Sequence, residues 1–274
     1  MHHIVWSYKA NGDFNRFRDP PAKTYMVATS PRSGSTYLCL LLWRTGVLGA
    51  PMEYLNFENS GGIYDRLGGS AGAAAYWKAL QSRRTSPNGL FGFKIFISNY
   101  KHTLAKHPEL VPLIAADEVI FLRRRDKVAQ ALSHYRAMQS GIWFDGVQGE
   151  KRPEYDFEKI LRSYRAAKVQ DAEWERLFGL TNCKPIRVEY EDLLADADPE
   201  VARICDALEV VQEPAARLPF IPLTKPQADG TTHEWYARFV EDYEQRSGAS
   251  PPDATRGCKP PLLEPPATAS AIPA

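Results

Sequence analysis

The sequence of 274 residues predicts an α/β fold with a mostly parallel central sheet flanked by helices. Three observations predict it. Short apolar runs of strand length alternate with longer stretches of helical periodicity, and a loop of small residues joins the first such run to a helix. The composition, 44% hydrophobic and 24% charged, is that of a globular chain.

Residues 1–23 mix Gly, Asn, Asp and Pro without periodicity and end in Pro20-Pro21, so a poorly structured lead-in is expected. His2 and His3 lie in it, and adjacent histidines at a loose terminus read as incidental. Tyr25–Ala28, a short apolar run, predicts a buried strand, and Tyr37–Trp43 predicts a helix running to Gly46. Residues 60–75, rich in Gly, Ser and Ala, predict a mobile surface segment before a helix at 76–83. Further strands are predicted at Phe91–Ile97, Val119–Arg123 and Ile186–Glu189. Further helices are predicted at about 127–139, 157–178, 191–208 and 233–246. From Ser247 the chain is so rich in Pro that residues 247–274 are expected to form a disordered tail. One domain at 24–246 is left, whose ligands are expected beyond the carboxyl ends of its strands.

With 34 Lys and Arg against 33 Asp and Glu, no global field calls for nucleic acid or an anionic membrane. Any anion site must therefore be local. Cys39, Cys183, Cys205 and Cys258 lack metal-ligand spacing and read as reduced thiols. No secretory leader and no 18-residue apolar run is legible, so a cytoplasmic protein without a transmembrane segment is expected.

The first strand runs into Ala28-Thr29-Ser30-Pro31-Arg32-Ser33-Gly34-Ser35-Thr36. Small residues between a strand and a helix N-terminus expose successive backbone N–H groups, and the helix dipole adds positive potential. That is an anion cradle. Laid on a Walker loop, however, it has Ser35 in place of the lysine and Thr29 in place of the first glycine, with Arg32 as its one cation. The Walker lysine and a bound Mg²⁺ neutralise a triphosphate. A cradle lacking that lysine suits a less charged moving group, and sulfuryl transfer fits. A kinase-like phosphotransferase and a non-catalytic nucleotide-binding or scaffold protein stay open as alternatives.

A second element, Leu122 through Ser133 and on through Tyr135-Arg136-Ala137-Met138-Gln139-Ser140-Gly141-Ile142-Trp143, sets an arginine at a strand end and a hydroxyl on the next helix. Such groups converge on one phosphate. Arg124 and Arg125 both suit the first role. Together with the loop, this stretch resembles the PAPS-dependent sulfotransferases of the Stf0 family. The resemblance implies a P-loop-like sulfotransferase fold with PAPS as donor, PAP as product and no metal. It implies cofactor binding by Arg32, Ser33, Gly34, Ser35, Thr36, Arg124 and Ser133, since Arg124 falls on the family's arginine. A homodimer and a carbohydrate or glycolipid acceptor, a trehalose-like sugar favoured, are implied as well. Val188–Leu194 with Asp198-Pro199, and Gln227-Ala228-Asp229 with Glu234-Trp235, also resemble the family and read as scaffold.

Transfer to an alcohol requires a base near the sulfur. Glu53, in the segment 49–54 that can fold back toward the cradle, matches the family's catalytic glutamate. Lys94 near a strand end is a candidate for the bridging or sulfonate oxygens. His134, beside Ser133, is a rival base, and Trp143, Tyr54 and Tyr135 are candidates for a platform under a sugar ring.

Overall fold

The computed structural model describes residues 5–15, 20–57, 62–143, 153–219, 221–224 and 229–255. Strands β1 (Lys23–Thr29), β2 (Leu90–Phe96), β3 (Glu118–Arg123) and β4 (Ile186–Glu189) form a parallel sheet in the order β2-β1-β3-β4. Their near-continuous apolar runs follow from burial on both faces, which a parallel sheet between helices imposes. Val27, Ala28, Ile95, Ile120 and Phe121 are wholly buried.

The helices are α1 (Ser35–Arg44), α2 (Ile63–Arg66), α3 (Ala73–Arg84), α4 (Ile97–Lys106), α5 (Lys127–Ser140), α6 (Phe157–Thr181), α7 (Tyr190–Ala195), α8 (Ala197–Ala207) and α9 (Gly230–Ser247). The chain leaves β1 toward β2 on one side and leaves β3 toward β4 on the other. The winding therefore reverses between β1 and β3, and a crevice opens there beyond the strand ends. The larger core, around Trp43, Trp77, Phe91, Phe93, Phe121 and Trp174, fills the sheet layers. A smaller core of Val128, Leu132, Tyr135, Ile160, Tyr164, Trp235 and Phe239 joins α5, α6 and α9.

Several elements differ from expectation. Ile97, read as the end of a strand, instead opens α4 directly from β2. The single helix expected at 191–208 is divided at Asp196, which is extended at φ −157° and whose carboxylate accepts the Asp198 N–H to start α8. The segment 60–75 contains α2 and contributes buried Ile63 and Ala73, with 58–61 outside the described residues.

Within the lead-in, Trp6, Ser7, Tyr8 and Gly12 are packed against the core. Arg84, fully buried, donates to the carbonyls of Ser7 at 2.7 Å, Gly12 at 3.0 Å and Lys9 at 3.2 Å, and Trp6 stacks on Trp43. Likewise the first residues of the Pro-rich tail are docked. Tyr164 donates to Asp253 at 2.9 Å, and Thr255 Oγ1 donates to Asp126 at 2.7 Å. His2, His3, Gln227, Ala228, Cys258 and the rest of the tail lie outside the described residues. Cys39, Cys183 and Cys205 are free thiols, and burial pushes Cys39 up to about 12. Among the described residues no helix is long and apolar enough to cross a membrane.

Candidate active site

The loop after β1 sits at the crevice between β1 and β3. Thr29 Oγ1 ties it to β3 by donating to the Leu122 carbonyl at 2.9 Å, and lies 2.6 Å from Ser33 Oγ. Arg32 (φ 62°) and Gly34 (φ 84°) both adopt left-handed backbone, which turns the chain so that α1 begins at Ser35. Only glycine fits at 34. A Cβ there would lie 2.1 Å from Tyr190 Cδ2, because the Tyr190 ring at the start of α7 packs against the loop. Among the described residues no side-chain cap closes the α1 N-terminus, which leaves its first N–H groups and the positive end of the dipole to an anion. Ser33 and Ser35 are buried and Thr36 is half-buried.

Two guanidinium groups meet beside this loop. Arg32 Nε donates to Ser133 Oγ at 2.9 Å, and its Nη1 donates to the Trp143 carbonyl. The Arg124 guanidinium lies 5.0 Å from the centre of the Tyr190 ring, with Nη1 3.5 Å from the Arg32 carbonyl. Arg124 Nε is buried with no hydrogen-bond partner among the described residues. Burial first, and the Arg124 charge second, bring the Arg32 guanidinium down to about 10. Anions beside these two groups would offset that repulsion. Arg125 is turned elsewhere: it is exposed and grips Asp192 at 2.6 and 2.9 Å.

On the β2 side, Met52 forms a parallel bridge to Phe93, and the Lys94 N–H donates to the Met52 carbonyl at 2.9 Å. This brings Glu53 onto Lys94, with Nζ 3.1 Å from Oε2. Asn56 and Asn99 donate their amides to Glu53 Oε1 at 3.1 and 3.3 Å. Sequence reasoning missed both asparagines. Asn99 belongs to the unexpected α4, and nothing local marks either one.

The inner side of the loop is held by α5 and α6. Gln130 Nε2 donates to Ser30 Oγ at 2.9 Å and to the Pro31 carbonyl at 2.7 Å, and Trp174 Nε1 donates to the Thr29 carbonyl at 2.9 Å. These contacts were also missed, as was Tyr190, which the sequence reading treated as scaffold.

The aromatic platform is corrected in two of its three members. Tyr54 is fully buried, donating to the Ala50 carbonyl, and Tyr135 packs on Trp235 in the smaller core while donating to the Glu154 carbonyl at 2.9 Å. Neither offers a ring face to a sugar. Trp143 is 40% exposed. His134 contacts Ser163 and the Trp143 ring, and burial together with Arg32 holds its imidazole below the ordinary value. Among the described residues no cluster of three or more His, Cys, Asp or Glu is placed to hold a metal ion.

Comparison with known proteins gives this geometry a family. Trehalose 2-sulfotransferase from Mycolicibacterium smegmatis is 29% identical over 264 residues, covering 82% of this chain and 96% of the relative. Its counterpart from Mycobacterium tuberculosis is 24% identical, covering 79% of this chain and 94% of the relative. A solved sulfotransferase from Alicyclobacillus acidocaldarius aligns with a TM-score of 0.42 at 14% identity, over 86% of this chain and 98% of that one, a likeness too slight to bear on function. The Stf0 sulphotransferase family model matches residues 24–242, which span the sheet, the loop and both arginines. The chain belongs to the Stf0 sulphotransferase family.

Proposed function

We propose that the protein moves a sulfuryl group from PAPS to a hydroxyl of a carbohydrate or glycolipid acceptor, a trehalose-like sugar favoured, and releases PAP. The observation that carries this reading is the paired guanidinium groups of Arg32 and Arg124 at the β1–β3 crevice, with Arg124 Nε buried and unpartnered among the described residues. The names of the two trehalose-sulfating relatives support a sugar acceptor. Arg32, Ser33, Gly34, Ser35 and Thr36 would hold the sulfated 5′ end, and Arg124 with Ser133 the 3′-phosphate.

PAPS, when bound, supplies an activated sulfuryl group less charged than a phosphoryl group. The chain's own part is orientation and proton removal. Glu53 takes the proton of the attacking hydroxyl on a carboxylate oxygen, a role in keeping with a half-buried carboxylate fixed by Lys94, Asn56 and Asn99. Lys94 has further N–H donors for the sulfonate oxygens. The loop N–H groups and the α1 dipole stabilise negative charge without reorganising. The protein is read as a homodimer on its resemblance to the family, and as cytoplasmic on its sequence.

Incubation with labelled PAPS and a panel of trehalose, other sugars and glycolipids, followed by mass spectrometry, tests the reading. Label on a sugar hydroxyl with PAP formed is expected. PAP binding without transfer to any acceptor would point to the non-catalytic alternative, and consumption of Mg-ATP to a kinase.

A further inference from the structure

Beneath the loop lies a charged pair that the proposed reaction does not use. Lys127 Nζ is 2.5 Å from Asp171 Oδ2, and both residues are only 8% exposed. Asp171 Oδ1 accepts the Ser30 hydroxyl at 2.9 Å, while Lys127 Nζ donates to Gln130 Oε1 at 3.1 Å. Gln130 in turn holds Ser30 and the Pro31 carbonyl, and is itself fully buried.

A buried ion pair is weak support for stability, because well-packed apolar residues of similar volume do as well or better. Here its hydrogen bonds converge on one short stretch. A trans peptide is planar, with its carbonyl and the following N–H on opposite edges. Holding the Pro31 carbonyl toward α5 therefore turns the Arg32 N–H the other way, and holding the Thr29 carbonyl toward Trp174 does the same for the Ser30 N–H. The inward carbonyls thus fix the orientation of the peptides that lead into the cradle.

We propose that Lys127, Asp171 and Gln130 are positioning residues that preset the phosphate loop for its anion. This rests on the reading of the loop as the PAPS site. Donor binding should depend on the network far more than does the stability of the fold.

Calorimetric titration with PAP and thermal melts on wild type, Gln130→Met, Ser30→Ala and the double variant Lys127→Met/Asp171→Leu test this. The double variant is expected to melt within a few degrees of wild type, and to bind PAP about tenfold more weakly. Gln130→Met and Ser30→Ala, each a small change, are expected to weaken PAP binding severalfold, raising KM for PAPS with little change in kcat. Folded variants that bind PAP as wild type does would reduce the network to scaffold and overturn the inference. Wild-type protein that binds no PAP would instead sink the reading of the site itself, and the inference with it.

Discussion

Lys94 Nζ lies 3.1 Å from Glu53 Oε2, joining a β2 residue to a segment that pairs with that strand through Met52 and Phe93. The contact fixes the proposed base from one side while Asn56 and Asn99 fix it from the other. Glu53→Gln keeps the shape but leaves one acceptor oxygen where the carboxylate has two, and it cannot accept a proton. It is expected to lower kcat by about 10²–10⁴-fold with PAP affinity nearly unchanged. Steady-state kinetics beside PAP titration checks this, and near-normal turnover would remove Glu53 from the role.

Arg124 and Arg125 are adjacent but differ in surroundings. Arg124→Ala removes a partly buried cation whose Nε has no partner among the described residues, and is expected to weaken PAP binding by about 1.5–3 kcal/mol. Arg125→Ala removes an exposed pair with Asp192 and should change PAP affinity by less than about 0.5 kcal/mol. Titration of PAP into both variants separates them, and the reverse order of effects would contradict the assignment.

Gly34 carries both a left-handed φ of 84° and the Tyr190 ring where a Cβ would be. Gly34→Ala must therefore shift the loop or the ring. PAP binding is expected to fall by at least about tenfold, with a strain cost of roughly 1–3 kcal/mol. Adding Tyr190→Ala clears the contact without changing φ, so it should recover part of the loss. No recovery in PAP titrations of the double variant would show that the ring plays no part.

His134 gives the fold a pH dependence of known sign. Burial, then Arg32, holds its folded-state pKa below the ordinary 6.5, so the unfolded chain binds more protons in that window. Its contribution to stability is complete above pH 6.5 and is lost as pH falls below that toward the folded value. His134→Gln is expected to flatten this part of the decline, as read by melting temperatures between about pH 7.5 and 5. An unchanged slope would contradict it.

What the sequence made legible was local. The β1–loop–α1 unit (Lys23–Arg44) and the Arg124-to-Ser133 element are each continuous in the sequence, so their strand–turn–helix order could be read from it. Asp171 meets Ser30 across 141 positions and Asn99 meets Glu53 across 46, and no periodicity encodes such contacts. The start of α4 was hidden because β2 passes into it at Phe96 with no side-chain cap to mark the change. Tyr54 and Tyr135 misled for another reason: an aromatic residue suits a sugar platform and a core equally, and only burial decides.

A crystal structure of the protein with PAP tests the central claim most directly. The account predicts the 3′-phosphate within hydrogen-bond reach of Arg124 and Ser133, and the 5′-phosphate on the N–H groups of residues 33–36. PAP seated away from both groups, with Arg124 Nε still unpartnered, would contradict it.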